Sequence, residues 1–286
     1  EISECLVGSE MCIRDRVDTY LCVDGKTIEE SPLYDPTRPY ENRDPRLLKS
    51  IVCIGYPYLG KTITKEDVAT TGFGVKKYTS YEDDVTIPLV ERSAFNFILI
   101  RYAEVLLTYA EAQNEASGPD QSVYDAINQL RRRPDINMPE VPKGLTKDQM
   151  REVIRRERRI ELACEGFRYN DLMRWGCGKL MEKAPEGAYI PGMGMYDITG
   201  DGQPDVAFVR NKAEADNLPQ EEREKVTVYT LEGHTIELTE GDKGYIRLKA
   251  QVNKFKFEEP KYYYSPIAID DITLNNNLVQ NKWWKN

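Results

Sequence analysis

The stretch NFILIRYAEVLLTYAEAQNEA, residues 96–116, decides the fold class of this chain. No glycine or proline interrupts it, and Gly118-Pro119 follows almost at once. Its apolar residues recur at the spacing of a helix face: Leu99, Ala103, Leu106, Leu107 and Ala110. The stretch therefore predicts a helix that ends before Gly118.

A second helix is predicted over residues 120–133, because Val123, Ile127 and Leu130 share one face and Pro134 follows. Two helices joined by so short a turn are expected to be antiparallel neighbours, and they predict a tetratricopeptide-like hairpin. One hairpin cannot bury its own apolar face, so further repeats are expected before it.

Two more helical segments are predicted downstream. Thr146 and Gln149 have the spacing of a capping box and predict a third helix that runs to about Cys164, before Gly166. Residues 169–175 predict a shorter helical piece.

Outside this centre, glycine and proline break the sequence into loops and short apolar pieces. Residues 226–229 and 235–238 alternate around Glu232-Gly233 and predict a β-hairpin, and residues 245–248 predict a further strand. The predicted fold class is α+β, with a mainly helical centre over about residues 96–180 and a loop-rich region with short strands elsewhere.

Charge and hydropathy narrow the list of partners. Lysine and arginine number 39 against 48 aspartates and glutamates, so the formal net charge is −9. A chain of this charge is a poor polyanion binder, and nucleic acid is not expected as a partner. No run approaches the ~18 consecutive apolar residues of a membrane-spanning helix.

The single histidine, His234, removes several catalytic classes. The segment around it offers neither an orienting acid nor a nucleophile elbow, as a Ser-His-Asp site would need. The six cysteines form no C-x-x-C pair for zinc, and their spacing is compatible with zero to three disulfides: Cys5, Cys12, Cys22, Cys53, Cys164 and Cys177. The residues leave three kinds of function open: carboxylate chemistry, calcium binding, and binding without catalysis.

The first residues do not match the rest of the chain. Residues 1–16 contain no charged-then-apolar signal segment, and Cys5 has no apolar run ahead of it for lipid attachment. We interpret residues 1–16 as a non-native leader, and residues 17–286 as the part of a longer protein that belongs to the fold.

The third predicted helix carries Glu157 within its apolar stripe and Glu161 beside it. A buried carboxylate must be paired or protonated, because an isolated buried charge costs too much. One interpretation is a general acid with a raised pKa, as in glycosidases. The favoured one is a buried ion-pair network with Arg101, Arg158 or Arg168, since two acids on one helix cannot flank a sugar.

The segment DITGDGQPD, residues 197–205, has most of the spacing of a calcium loop. Two departures weaken the match: a threonine at the third position, and Phe208 where a glutamate is usual. The alternative is an Asp/Gly turn without metal. The candidate ligands are Asp197, Thr199, Asp201, Gln203 and Asp205.

Tyrosine is abundant, with 18 in the chain, and several tyrosines lie in loops rich in proline and glycine. Loop aromatics offer flat faces with a polar rim, which suit sugars or peptides. The alternative is that each closes a small satellite core. The candidate ligand-binding residues are Tyr56, Tyr58, Tyr189 and Tyr196.

Several motifs, in order along residues 17–286, resemble the SusD/RagB family. The tail matches two short family elements, a YPIP motif and a terminal QN. The matching segments are NRDPR (42–46), IRYAEVLLTYAEA (100–112), RERRIEL (156–162), EGFR (165–168), DLMRW (171–175), YSPI (264–267) and QN (280–281).

The resemblance implies the C-terminal portion of a surface-exposed lipoprotein of the bacterial outer membrane, in a fold of tetratricopeptide-like units that support a loop-rich region. Such proteins bind oligosaccharides, or peptides in some members, without catalysis, for uptake through a partner SusC-like TonB-dependent transporter. The resemblance implies no required cofactor, leaving calcium open, and membrane contact only through a lipid anchor outside this chain. The alternatives are a carboxylate-based glycoside hydrolase, and a peptide-binding or structural subunit of the transporter complex.

Overall fold

A computed structural model of the chain describes residues 14–68, 72–77, 98–182, 186–232, 236–248, 256–275 and 277–284. The helices are α1 (Arg14–Val17), α2 (Arg46–Ser50), α3 (Tyr102–Ser117), α4 (Gln121–Arg131), α5 (Lys147–Glu161), α6 (Phe167–Arg174), α7 (Lys212–Asn217), α8 (Gln220–Arg223) and α9 (Ile269–Leu274). The strands are β1 (Ile51–Cys53), β2 (Pro57–Tyr58), β3 (Lys61–Thr62), β4 (Phe73–Val75), β5 (Glu186–Ile190), β6 (Gly194–Tyr196), β7 (Val206–Val209), β8 (Thr227–Thr230), β9 (Ile236–Leu238) and β10 (Gly244–Leu248).

Helix α3 is shorter at its start than the sequence predicts. Residues 96 and 97 lie outside the described residues, and residues 98–100 are not helical. Arg101 caps the helix in an extended conformation, with φ −134° and ψ 157°. Gly118 ends it with φ +85°, a conformation that favours glycine, so the predicted end is confirmed.

Side-chain caps define the starts of α4 and α5. Asp120 accepts hydrogen bonds from the backbone N–H groups of Ser122 and Val123. Thr146 and Gln149 form the predicted capping box, which is thereby confirmed.

Helix α5 ends at Glu161, earlier than the predicted Cys164. The reason is local, because Cys164 has φ +62°, a left-handed conformation that a helix cannot continue through.

Helices α3, α4 and α5 pack against each other around two small apolar clusters. Ala110 of α3 and Ala126 of α4 allow close approach, and Met150 of α5 closes the first cluster. Leu107 and Leu130 lie in the second cluster.

The larger core lies in the loop-rich part, under α2 and the short sheets. It includes Tyr20, Leu47, Phe73, Ile190 and Ile246, each exposed by 2% or less. Residues from before and after the helical centre meet here, so this part forms one body. The α+β class, with a helix-rich centre and short strands, is confirmed.

The predicted hairpin of residues 226–229 and 235–238 is wrong. Strand β8 pairs in parallel with β7, whereas β9 pairs antiparallel with β10 in another sheet. Strand β7 is buried along its whole length and pairs on its other edge with β6, so β8 completes a three-stranded sheet around it. The predicted strand over 245–248 is confirmed as β10.

Residues 1–13 and His234 lie outside the described residues, and the leader assignment stays a prediction. Arg16, the last residue of that predicted leader, donates a hydrogen bond to Cys164 Sγ at 2.9 Å. Among the described cysteines, Cys22, Cys53, Cys164 and Cys177 are all free thiols. Within the described part of the chain, every helix is too short or too polar to cross a bilayer.

Candidate functional site

Glu157 on α5 is fully buried, and both of its carboxylate oxygens are paired. Oε1 accepts a hydrogen bond from Arg46 Nη1 at 2.6 Å. Oε2 accepts one from Arg131 Nε at 2.9 Å. Because Arg46 lies on α2 and Arg131 ends α4, this carboxylate joins three helices.

Glu161, one turn along α5, extends the network. Its Oε1 accepts from Arg101 Nη1 at 2.7 Å, which is one of the pairs that the sequence predicts. Arg133 bridges both oxygens at 3.0 and 2.8 Å. Oε2 also accepts from Arg46 Nη1 at 2.9 Å, so Arg46 contacts both glutamates.

The NRDPR segment connects this network to the loop-rich body. Asp44 holds the Arg46 guanidinium through Nε at 3.0 Å and Nη2 at 2.7 Å. Arg43 donates to the backbone carbonyls of Pro39, Val17 and Tyr20 at 2.7, 2.7 and 2.8 Å. The segment therefore ties the loop at Pro39 to helix α5.

The network keeps both glutamates charged. Burial acts to raise the pKa of Glu157, but the Arg46 and Arg131 guanidinium groups outweigh it and hold the pKa below its usual range. Burial also acts to raise the pKa of Glu161, but the Arg46 and Arg133 guanidinium groups outweigh it and lower the pKa to about 2. A general acid needs a raised pKa and access to substrate, and Glu157 has neither.

Two of the predicted arginine partners contact other groups. Arg158 binds Asp171 of α6 through Nε and Nη2, both at 3.1 Å. Successive helix residues point about 100° apart, so Arg158 faces α6 while Glu157 faces α2. The Arg168 guanidinium lies 6.0 Å from the ring centroid of Trp175.

The Asp197–Asp205 loop is shaped by carboxylates that accept backbone N–H groups. Asp197 Oδ1 accepts from Gly200 at 2.6 Å, and Oδ2 accepts from Gly202 at 2.8 Å. Burial acts to raise the pKa of Asp197, but the N–H groups of Gly202 and Gly200 lower it overall.

Asp205 closes the other side of this loop. Its Oδ2 accepts from the backbone N–H groups of Ile198 and Thr199 and from the Thr199 hydroxyl, each at 2.9 Å. Burial raises the pKa of Asp205 despite these bonds. Asp205 therefore stabilises the turn through these hydrogen bonds.

Asp201 and Gln203 lie at the exposed tip of the loop, where Asp201 Oδ1 accepts from the Gln203 N–H at 2.8 Å. Within the described ranges, no group of three or more histidine, cysteine, aspartate or glutamate residues is placed to hold a metal ion. Hydrogen bonds of the Asx-turn kind account for the shape of the loop. Calcium at this loop stays a prediction.

A pocket of about 20 Å³ lies between loop 36–40 and the two three-stranded sheets. Its rim carries partly or fully exposed residues, and its floor is buried. The rim consists of Pro36, Thr37, Tyr189 and Pro191, and the floor includes Ile54, Ile198, Val206, Phe208, Tyr229 and Ile246. The lining is mostly apolar.

The four predicted tyrosines relate to this pocket differently. Tyr189 lines it and is packed edge-to-face against Tyr245, with ring centroids 5.0 Å apart. Tyr56 and Tyr196 do not line it, but each packs on a residue that does: Tyr56 on Tyr40 at 5.8 Å, and Tyr196 on Phe208 at 5.9 Å.

Tyr58, the fourth, is on β2 and is not among the lining residues of the pocket. The Lys76 ammonium lies 5.6 Å from its ring centroid.

Sequence reasoning did not assign Arg46, Arg131 or Arg133 to the network, nor Tyr40 or Phe208 to a pocket. The available signal was the charge-dense NRDPR segment, whose Asp-x-Arg spacing permits the local pair of Asp44 and Arg46. No comparable signal marked the pocket, because its lining residues come from separate segments.

Comparisons with known proteins agree with the fold. The family model described as SusD family matches residues 7–284. SusD-like protein P2 of Formosa agariphila is 40% identical over 91 residues, which are 30% of this chain and 18% of that protein. SusD-like protein P25 of the same organism is 43% identical over 82 residues, which are 28% of this chain and 15% of that protein.

Solved structures give the same result. A SusD-like carbohydrate binding protein from Bacteroides fragilis has a TM-score of 0.64 at 28% identity, covering 93% of this chain and 47% of that one. Another SusD-like protein from that species, at 22% identity, shares the fold with a TM-score of 0.61 and covers 94% and 46%. This chain spans about half the length of these solved relatives.

The fold is therefore that of SusD-like proteins. Because the family model covers nearly the whole sequence, this chain belongs to the SusD family.

Proposed function

We propose that this chain binds carbohydrate, without catalysis, as part of a surface-exposed protein of the bacterial outer membrane. The observation that carries the proposal is Tyr189, a partly exposed aromatic ring on the rim of an apolar pocket. Aromatic faces of this kind stack on sugar rings. Support comes from family membership and from the relative at 28% identity, which is described as carbohydrate binding.

Replacing Tyr189 by alanine should weaken glycan binding about tenfold, because the stacking face is lost. The measurement is a glycan array followed by calorimetry on the best ligand. Tyr102→Ala is the matched control, since Tyr102 is a 64% exposed tyrosine on α3 outside the pocket. Equal affinities of the two variants would contradict the role of Tyr189.

We propose that the protein is not a glycoside hydrolase. Glu157, the acid that the alternative requires, is buried and charged between two arginines. A reducing-sugar assay over a polysaccharide panel should show no sustained turnover. Sustained turnover that is lost in Glu157→Gln would instead support the glycoside hydrolase alternative.

The expected partner is a SusC-like TonB-dependent transporter in the outer membrane, with attachment through a lipid anchor. The test is co-purification of the full-length protein with the transporter from solubilised membranes. A full-length protein that co-purifies but binds no glycan and no peptide would favour the structural-subunit alternative. Binding of peptides alone would favour the peptide-binding alternative.

Calcium binding at the Asp197–Asp205 loop is tested by thermal unfolding. If calcium binds there, adding it in place of a chelator raises the melting temperature, and Asp201→Ala abolishes the rise. No rise in the parent protein would leave the loop as a turn held by its own hydrogen bonds.

A further inference from the structure

We propose that the buried hydroxyl of Tyr229 is the hydrogen-bonding group of the pocket and that it binds the hydroxymethyl group of a hexopyranose. This inference rests on the proposed carbohydrate binding and names the class of sugar, a hexose whose primary hydroxyl is unsubstituted. It follows from the lack of a partner for this hydroxyl, from its position, and from the size of the pocket.

The Tyr229 hydroxyl is a buried polar group on the floor of the pocket. The side chain is 8% exposed, and its hydroxyl makes no hydrogen bond to the part of the chain that the structure describes. The hydroxyl of Thr37, at the rim, is by contrast bonded to Asp35 Oδ1 at 2.7 Å. A buried hydroxyl without a partner is unfavourable, because it has lost its hydrogen bonds to water. A ligand that supplies the missing bond therefore gains affinity.

The Tyr229 hydroxyl lies next to other residues that line the pocket. Tyr229 is on β8, where its Cα pairs with that of Phe208 on β7. A Cβ atom placed on Gly72 would lie 3.5 Å from the hydroxyl, 3.0 Å from Ala188 Cβ and 3.9 Å from Ile54 Cδ1. Since Ala188 and Ile54 both line the pocket, the hydroxyl end of the tyrosine belongs to the same wall.

Neighbouring groups hold the Tyr229 ring and keep its hydroxyl protonated. The ring centroid lies 5.6 Å from that of Phe208 and 5.9 Å from the Lys65 ammonium. Burial raises the pKa of Tyr229, and the negative charge of Glu66 adds to this effect. At neutral pH the hydroxyl can therefore both donate and accept a hydrogen bond, as a sugar hydroxyl does.

The lining combines tyrosines with aliphatic side chains. Tyr40, which is 7% exposed, is a second tyrosine on the lining, and its ring packs edge-to-face on Tyr56 at 5.8 Å. Ile198 and Val206 contribute apolar surface. A hydroxymethyl group matches this combination, because its methylene can pack on the aliphatic side chains while its hydroxyl bonds to Tyr229.

The size of the pocket limits the ligand to one small substituent. Its volume of about 20 Å³ exceeds only slightly the roughly 10–15 Å³ that one water molecule requires. A hydroxymethyl group extends beyond the sugar ring, so it can enter while the ring stays at the rim beside Tyr189. A carboxylate would bury a charge beside a single donor, which costs far more, and an acetamido group is larger.

The first experiment compares sugars that differ only at C6. The probes are the methyl glycosides of D-glucose, D-galactose and D-mannose, each against its 6-deoxy counterpart, with methyl D-glucuronide added. We expect at least one hexoside to bind about tenfold more tightly than its 6-deoxy partner, which leaves the Tyr229 hydroxyl unpaired. An NMR titration of the full-length protein measures the affinities.

The second experiment removes the hydroxyl alone. Tyr229→Phe should bring the two members of the preferred pair to within about twofold, by weakening the hexoside and leaving the 6-deoxy sugar unchanged. Tyr20→Phe, the same change at a fully buried tyrosine outside the pocket, should leave the preference intact. Thermal unfolding should show Tyr229→Phe to be as stable as the parent, because the hydroxyl makes no hydrogen bond to the described residues.

The outcomes separate this inference from the proposed function. Glycan binding with equal affinity in every C6 pair, or a preference for the glucuronide alone, overturns the hydroxymethyl assignment and leaves carbohydrate binding intact. A C6 preference that persists in Tyr229→Phe, or that is lost in Tyr20→Phe, overturns the role of Tyr229. A full-length protein that binds no glycan overturns both proposals. The comparison of sugars needs no variant, so it decides the question even if Tyr229→Phe fails to fold.

Discussion

Replacing Glu157 by alanine should lower the free energy of unfolding by about 3–5 kcal/mol. The substitution leaves the guanidinium of Arg131 buried without its carboxylate and removes one of the three carboxylates around Arg46. Breaking a buried pair from one side costs more than the pair contributes, because the remaining charge stays out of water. Urea unfolding followed by circular dichroism at neutral pH measures the change.

The matched control is Glu152→Ala on the same helix. The Glu152 side chain is 70% exposed and pairs with Arg155 at 3.6 Å, a contact of the kind that contributes about 0.5 kcal/mol or less. Helix propensity changes similarly in both variants, so their difference isolates the buried network. A Glu157→Ala loss no larger than that of Glu152→Ala would show that the network does not stabilise the fold.

The starts of α4 and α5 could be predicted because their causes are local. The capping box of Thr146 and Gln149 and the Asp120 cap each involve groups within three residues of each other. The burial of Glu157 was predictable for a similar reason, since helical periodicity assigns it to the apolar face.

The partners of Glu157 could not be predicted in the same way. Arg46 lies 111 positions away in the sequence, and several arginines nearer to Glu157 were equally plausible partners. The tertiary fold, and not the spacing along the sequence, decides which of these arginines contacts Glu157. The predicted hairpin failed similarly, because local alternation identifies strands but the burial of β7 decides what β8 pairs with.

The pocket could not be predicted either, because its lining residues come from separate segments. The NRDPR segment connects this pocket to the helical centre. Arg43 donates a hydrogen bond to the carbonyl of Pro39, which lines the pocket. Arg46, three residues later at the start of α2, binds Glu157. The NRDPR segment thus holds a wall of the candidate binding site against the helical centre.

Acid should destabilise the protein through Glu161. Its pKa is lowered from the ordinary value of 4.5 to about 2 in the folded state, because the Arg46 and Arg133 guanidinium groups outweigh the effect of burial. A carboxyl group with a depressed folded pKa contributes stability that is fully present above its unfolded pKa and is lost as the pH falls toward the folded value. The lowered pKa of Glu157 acts in the same direction.

A shift of this size corresponds to about 3 kcal/mol, so the free energy of unfolding should fall by roughly that amount between about pH 5 and pH 2. Urea unfolding across this range measures the slope. Glu161→Gln removes the titrating group, and its slope should be shallower than that of the parent, although its stability at neutral pH is lower. Parallel slopes in the two proteins would mean that Glu161 is not held charged by the arginines around it, and the ion-pair account of the helix α5 network would fail with it.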